Sequence, residues 1–272
     1  MRVTFASQPA RPGRANEDFI AAAPQAAVLL DGAGTPAGVD SGCSHGVAWY
    51  SHTLGSTLLA TVTQSAGPLP ELLADSIKTV ASLHDATCDL NHPGSPSAAV
   101  VMLRQTAEKL EWLVLADSVL ILDARAAEPI VVCDERAGQI GARYRAVMDA
   151  LPGGTPEHTQ ALREYIQAMR EHRNRDGGFW VASIDPLAAE QALTGTVPAD
   201  QVVAAAVLSD GASRLVDRFE LATWRETLDM LAQDGPEELI SRVRAAERSD
   251  LDGSRWPRGK TFDDATAAFC RI

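Results

Sequence analysis

Residues 26–34 read Ala-Ala-Val-Leu-Leu-Asp-Gly-Ala-Gly. The apolar run to Leu30 predicts a β-strand greasy enough to lie centrally in a sheet. Asp31 stands where that strand ends, and Gly32 behind it lets the chain turn sharply and leaves a carbonyl open to a ligand. A lone Asp-Gly is as readily an ordinary turn. Here the pattern recurs: Val207-Leu208-Ser209-Asp210-Gly211 closes a second apolar run, Asn16-Glu17-Asp18 opens a strand, and Asp263-Asp264 opens the last one. Strand ends are rigid, and carboxylates gathered at one rim repel strongly unless neutralised. Hard divalent cations such as Mg²⁺ or Mn²⁺ neutralise them and prefer oxygen ligands.

Around these motifs the chain alternates short β-like runs with helical patterns. Strands are expected at Val3 to Phe5, Asp18 to Ala22 and Ala26 to Leu30, followed by a loop from Asp31 to Gly38. Val47, Tyr50, Leu54, Leu58 and Val62 fall at helical spacing, and a second helix is expected from Pro70 to Thr87; the pair would cover a sheet. Four close strands (98–103, 112–116, 119–122, 130–133) suit an antiparallel meander. Helices follow between Ala142 and Met169, broken at Leu151-Pro-Gly-Gly-Thr-Pro. Then come strands at Phe179 to Ser183 and Val202 to Leu208, helices near Glu220 to Leu231 and Glu237 to Glu247, and a closing strand from Ala265 to Ile272. No repeat or linker divides the 272 residues, so one α+β domain is expected. A domain of that size buries roughly three quarters of its unfolded surface and needs no staples.

A net charge of −12 argues against a nucleic-acid partner. It also means that any phosphate substrate must meet locally placed positive charge, from cations or an Arg. No apolar stretch reaches a membrane span, and the first residues lack the core of a signal peptide. Cys43, Cys88, Cys133 and Cys270 are far apart and form no Cys-x-x-Cys pair, which argues against a structural zinc site and a disulfide framework. A cytoplasmic monomer is the simplest expectation.

The order Arg14-x-Asn16-Glu17-Asp18, apolar strand to Asp31-Gly-x-Gly, Ala116-Asp117-Ser118, Ser209-Asp210-Gly211 and Asp263-Asp264-Ala-Thr resembles the PPM-type (type 2C) metal-dependent serine/threonine protein phosphatases, and spans nearly the whole chain. The resemblance implies a four-layer αββα sandwich of two antiparallel sheets flanked by helices, with two or three Mg²⁺ or Mn²⁺ ions at one edge. By position, Asp31 would bridge two ions, and Gly32 would lend its carbonyl. Asp210 and Asp263 would hold one ion, Glu17 and Asp18 would hold ion-bound waters, and Asp117 would serve a further ion. Arg14 would clamp the phosphate of a phosphoprotein. Hydrolysis would proceed by in-line attack of water activated between the ions, with no phospho-enzyme.

Three features depart from that pattern. The motif histidine after Asp-Gly is absent, and the next histidine is His45, a substitute general acid or merely a helix-entry residue. The family's Gly-Asp-Ser reads Ala116-Asp117-Ser118, and its terminal Asp-Asn reads Asp263-Asp264. Residues 134–185 fall where the family carries a variable flap and read as helix-rich, with Arg173 and Arg175 in what is expected to be an exposed loop. An alternative function is a PPM-fold regulatory or binding domain with little turnover. Gly42-Cys-Ser44-His-Gly46 fits a serine-hydrolase nucleophile elbow, but no strand precedes Ser44 and no late histidine completes the set. Gly253 to Thr261 resembles a P-loop with one residue too many and no following helix.

Overall fold

The computed structural model describes residues 1–34, 40–124 and 127–272. Its elements in order are β1 (Arg2–Gln8), β2 (Phe19–Ala23), β3 (Ala26–Ala33), α1 (Val47–Gln64), α2 (Leu69–His84), β4 (Ser97–Gln105), β5 (Lys109–Leu115), β6 (Val119–Ala124), β7 (Ile130–Val132), α3 (Arg136–Asp149), α4 (Pro156–Arg170), β8 (Leu193–Pro198), β9 (Val202–Leu208), α5 (Asp210–Asp217), α6 (Trp224–Gln233), α7 (Pro236–Ser249) and β10 (Ala265–Arg271). One sheet runs β1-β10-β9-β6-β7 and the other β2-β3-β4-β5-β8, every pairing antiparallel.

The two sheets stack face to face. Ala27, Leu29, Val101, Leu103 and Val114 from one meet Leu120, Leu122, Ala205, Val207 and Ala268 from the other. Because the outer faces are also covered, the central strands are apolar on both sides and read as continuous greasy runs. Helices α1 and α2 pack Leu54, Leu58, Leu73 and Ile77 on one outer face, against Val28, Leu30 and Val100. Helices α5, α6 and α7 pack Leu215, Leu228, Leu239 and Val243 on the other, against Ile121, Ala206 and Ala267. The outcome is the expected αββα sandwich. No helix among the described residues is long and apolar enough to cross a membrane.

Several sequence expectations need correction. The four central strands are not one meander: β4 and β5 pair in one sheet, β6 and β7 in the other, and the chain changes sheets at Ala116-Asp117-Ser118. Ala116 takes a left-handed φ of 68° there, a conformation that favours glycine. The substitution therefore matters for backbone conformation as well as for packing. Phe179 to Ser183 is not a strand; it touches β4 by one bridge, Ala98 to Ala182, with amide–carbonyl bonds of 2.8 and 3.0 Å. Strand β8 and helix α5 were not foreseen. Helix α6 starts at Trp224 rather than Glu220 because Thr223 and Glu226 cap each other reciprocally. Part of the loop expected after Asp31, residues 35–39, lies outside the described residues.

The layered core sets the stability test. Leu29→Ala, between the sheets with no exposed surface, should cost about 2–5 kcal/mol, whereas Leu83→Ala, 58 % exposed at the end of α2, should change stability by less than about 0.5 kcal/mol. Denaturant titration of both variants checks this contrast.

Candidate metal centre

At one edge of the sandwich, five chain segments converge. Strand β3 carries Asp31 into its last turn-ward residues, paired with Ala99 of β4. Asp18 precedes β2, Asp117 lies in the sheet-changing loop, Asp210 is the first residue of α5, and Asp263 and Asp264 precede β10. The backbone amide of Asp210 donates to Asp31 Oδ2 at 2.9 Å, so the Asp31 carboxylate meets the amino end of α5.

Two glycines make the approach possible. A Cβ on Gly211 would run into the Asp264 carbonyl, and one on Gly32 would strike the Glu17 carbonyl and the Val47 side chain. Both Asp-Gly pairs are therefore sites of close backbone contact, not free-standing turns.

Crowding is visible in the acidities. Burial drives the Asp18 carboxyl up to about 7, helped by the charges of Asp210 and Asp264 and opposed by the hydroxyls of Thr266 and Ser209. Asp210 rises to about 7 through burial and the charge of Asp263. Asp31 lies well above the carboxylate range, from burial first and then the charges of Asp210, Asp18 and Asp117. Asp18 is buried and its Oδ2 has no hydrogen-bond partner. Asp117 is exposed at the mouth of the cluster. An unpartnered buried carboxylate oxygen, among oxygen donors whose carboxyls burial and then mutual repulsion push upward, suits a hard divalent cation.

The two terminal aspartates are differently placed. Asp263 accepts from Arg214 Nη2 at 2.6 Å and from Lys260 Nζ at 2.8 Å. Burial would raise its pKa, but the charges of Lys260 and Arg214 outweigh it and hold the carboxyl below its ordinary value. Arg214 also binds Glu247 at 2.9 Å, and Glu247 binds Arg244 at 2.7 Å, a buried network behind the cluster. Asp264 accepts from the amides of Ala10 (2.6 Å) and Glu17 (2.7 Å), fixing the segment before β2. Neither Arg214 nor Lys260 was foreseen, although Arg214 stands one helical turn after Asp210 and Lys260 three residues before Asp263.

The remaining sequence candidates scatter around this centre. The Glu17 carboxylate turns to Arg14, at 3.4 Å, rather than to the aspartates. Arg14 is half exposed and lines a recess of about 280 Å³ with Arg11, His158, Arg258 and Lys260. Arg258 there is tied to Asp250 at 2.7 Å. His45 is not in the cluster: its ring stacks on Trp49 and its Nδ1 lies 3.3 Å from Cys88 Sγ. Arg173, expected in an exposed loop, is instead half-buried and donates to the carbonyls of Ser95 and Pro93 at 3.1 Å each. Ser44 sits in a loop with no strand before it, which removes the elbow. Of the helices in 134–185, α4 lines the recess through His158, Thr159 and Leu162, with His158 Nε2 3.2 Å from the Arg258 carbonyl.

No protein-family model matches the sequence, and no curated protein matches it. Solved structures do. The catalytic domain of the serine/threonine protein phosphatase PstP, in complex with two manganese ions, is 15% identical with a TM-score of 0.57, over 99% of this chain and 97% of that one. The chain has the PPM-phosphatase fold. The Mycobacterium tuberculosis phosphatase PstP/Ppp matches at 15% identity and TM-score 0.59, over 100% and 98% of the two chains. The PPM Ser-Thr phosphatase MsPP from Mycobacterium smegmatis, in complex with cacodylate, matches at 15% and 0.57 over the same shares. The PPM sandwich thus extends across the full chain even though little sequence is shared.

The acidities carry a testable sign. Asp18 and Asp210 have folded values raised to about 7, so their contribution to stability is fullest below about pH 4 and is lost as pH rises through 7. A divalent ion reverses that loss by binding the ionised forms. The gain in Tm on adding Mg²⁺ should be small at pH 5, grow through pH 7 and level off near pH 8. A gain independent of pH across that range, in thermal melts with and without Mg²⁺, would count against the cluster as the binding site.

Proposed function

We propose that this chain is a divalent-metal-dependent phosphatase that hydrolyses phosphoserine and phosphothreonine in proteins. The observation that carries the reading is the convergence of Asp18, Asp31, Asp117 and Asp210 on one edge of a PPM sandwich, two of them with carboxyls pushed up to about 7 and Asp18 with a buried, unpartnered oxygen. A structure of the same fold was solved with two manganese ions, which favours Mn²⁺ or Mg²⁺ as the cofactor. Asp31 and Asp210, with the Gly32 carbonyl, would be the principal ligands. Asp18 would hold the inner edge of the site, and Asp117, at the mouth, would serve an outer ion. Bound ions would lower the pKa of water and offset charge on the leaving oxygen.

The chain's own residues would do the rest. Arg14, on the recess beside the cluster, would grip the substrate phosphate through a forked contact. Arg11 and Lys260 add positive charge along the same recess, answering the −12 net charge that otherwise repels a phosphopeptide. Leaving-group protonation would fall to solvent, since His45 is engaged elsewhere. A cytoplasmic monomer remains part of this reading, consistent with four free thiols.

One observation favours the second reading, a PPM-fold binding domain of low turnover. Asp263 already carries two cationic partners, Arg214 and Lys260, so ligation by Asp263 requires Lys260 to give way. The two readings separate on Mn²⁺-dependent hydrolysis of p-nitrophenyl phosphate. Wild type should turn over, and Asp31→Asn and Asp210→Ala should each lose more than about 100-fold in kcat while remaining folded. Absence of turnover in wild type would favour the binding domain.

Lys260 gives a separate handle. Removing a cation 2.8 Å from Asp263 should tighten divalent-ion binding by about tenfold in Lys260→Met. Calorimetric titration with Mg²⁺ reads this directly, and an unchanged Kd would mean that Asp263 is not a ligand.

A further inference from the structure

A second group of ligand-type side chains lies apart from the carboxylate cluster, where the loop entering α1 meets the exit of α2. The loop supplies Cys43 and His45; α2 ends on His84, and Cys88 follows one turn later. Cys43 Sγ is 3.5 Å from Cys88 Sγ and 3.7 Å from His84 Nδ1, and His45 Nδ1 is 3.3 Å from Cys88 Sγ and 4.0 Å from Cys43 Sγ. All four donor atoms lie within 4.8 Å of one another.

These separations have a specific meaning. Tetrahedral zinc with bonds of about 2.3 Å to sulfur and 2.0–2.1 Å to nitrogen requires edges of roughly 3.3–3.8 Å between donors. The distances found bracket those edges. We propose that Cys43, His45, His84 and Cys88 form a closed four-ligand Zn²⁺ site, distinct from the oxygen-rich centre.

Independent features support it. His84 is 2 % exposed, with Nδ1 facing the sulfurs and Nε2 without a partner, so a bond from Nδ1 to an ion would be the ring's one strong interaction. Amides of His45 and Gly46 point at Cys43 sulfur. The Ser44 hydroxyl lies 3.6 Å and the Thr87 hydroxyl 3.7 Å from Cys88 Sγ, joined by the Ser44 amide. Such donors stabilise thiolates, the form that binds metal. Gly46, at φ 81°, permits the turn that aims its amide back at Cys43. Two thiolates and two neutral imidazoles balance one Zn²⁺, and soft sulfur donors select it over Mg²⁺.

With every position filled by protein, the site is structural rather than catalytic. It ties the start of α1 to the end of α2. Val47, the first residue of α1, packs against Gly32 and Gly34, so the staple also braces the segment after Asp31. Sequence reasoning sought Cys-x-x-Cys and missed it, because the pairs are mixed: Cys-x-His and His-x-x-x-Cys.

The test is metal content, independent of phosphatase activity. Protein dialysed against weak chelator should retain one zinc per chain by elemental mass spectrometry. Zinc should persist in an Asp31→Asn/Asp210→Ala variant and vanish in Cys43→Ser/Cys88→Ser. Stripped, reduced wild type should take up Co²⁺ with thiolate-to-metal charge-transfer bands and a tetrahedral visible spectrum, a readout that does not depend on whether the cysteine variant folds. Removal of zinc should lower Tm by about 10 °C or more. Failure to give the charge-transfer bands, zinc retained in the double-serine variant, or a Cys43–Cys88 disulfide in place of metal in freshly isolated protein would each overturn the proposal.

Discussion

Mutual repulsion among carboxylates at the edge of the paired sheets is the constraint to which the surrounding structure responds. Asp264 is answered by two backbone amides, Asp263 by Lys260 and Arg214, and Glu247 behind them by Arg214 and Arg244. After those pairings the uncompensated charge is concentrated on Asp18, Asp31, Asp117 and Asp210, whose carboxyls are all pushed upward, by burial first with neighbouring charges adding. The fold thus neutralises its peripheral acids with its own cations and leaves the inner ones to seek charge from outside. That asymmetry distinguishes the proposed metal centre from an ordinary acidic patch, where every carboxylate is simply solvated.

The apolar sandwich makes this arrangement tolerable. Leu29, Val207 and Ala268 anchor strands β3, β9 and β10 between the sheets, and the acids project from the rigid ends of those strands or the turns beside them. Gly32 and Gly211 then admit the neighbouring backbone at distances that no side chain allows. Core packing and acidic edge are two consequences of the same strands.

Much of this was legible because each acid follows or precedes an apolar run, so the sequence itself marks it as lying at a strand end. β3, β9 and β10 stood out for that reason, as did helices α1 and α2 by their spacing. Strand β8, Leu-Thr-Gly-Thr-Val-Pro, is mostly exposed and contains Gly and Pro, so neither hydrophobicity nor alternation announced it. Helix α5 has eight residues and begins inside Ser-Asp-Gly, which reads as a turn. The change of sheet after β5 had no local signature beyond a short loop. Pairings that hold Asp263, and the gathering of Cys43, His45, His84 and Cys88, depend on contacts between segments tens of residues apart, which no local pattern encodes.

Strand β1 hydrogen-bonds along its whole length to β10, so among the described residues the first strand forms one edge of its sheet, with the tenth strand as its only partner there. During synthesis from the amino end, β1 must wait for its partner until every other strand of the two sheets has been made. Asp263 and the β10 pairing arrive together. The Asp263 side of the acidic centre therefore assembles only once β10 has been made, and a nascent chain that stops short of it lacks that side.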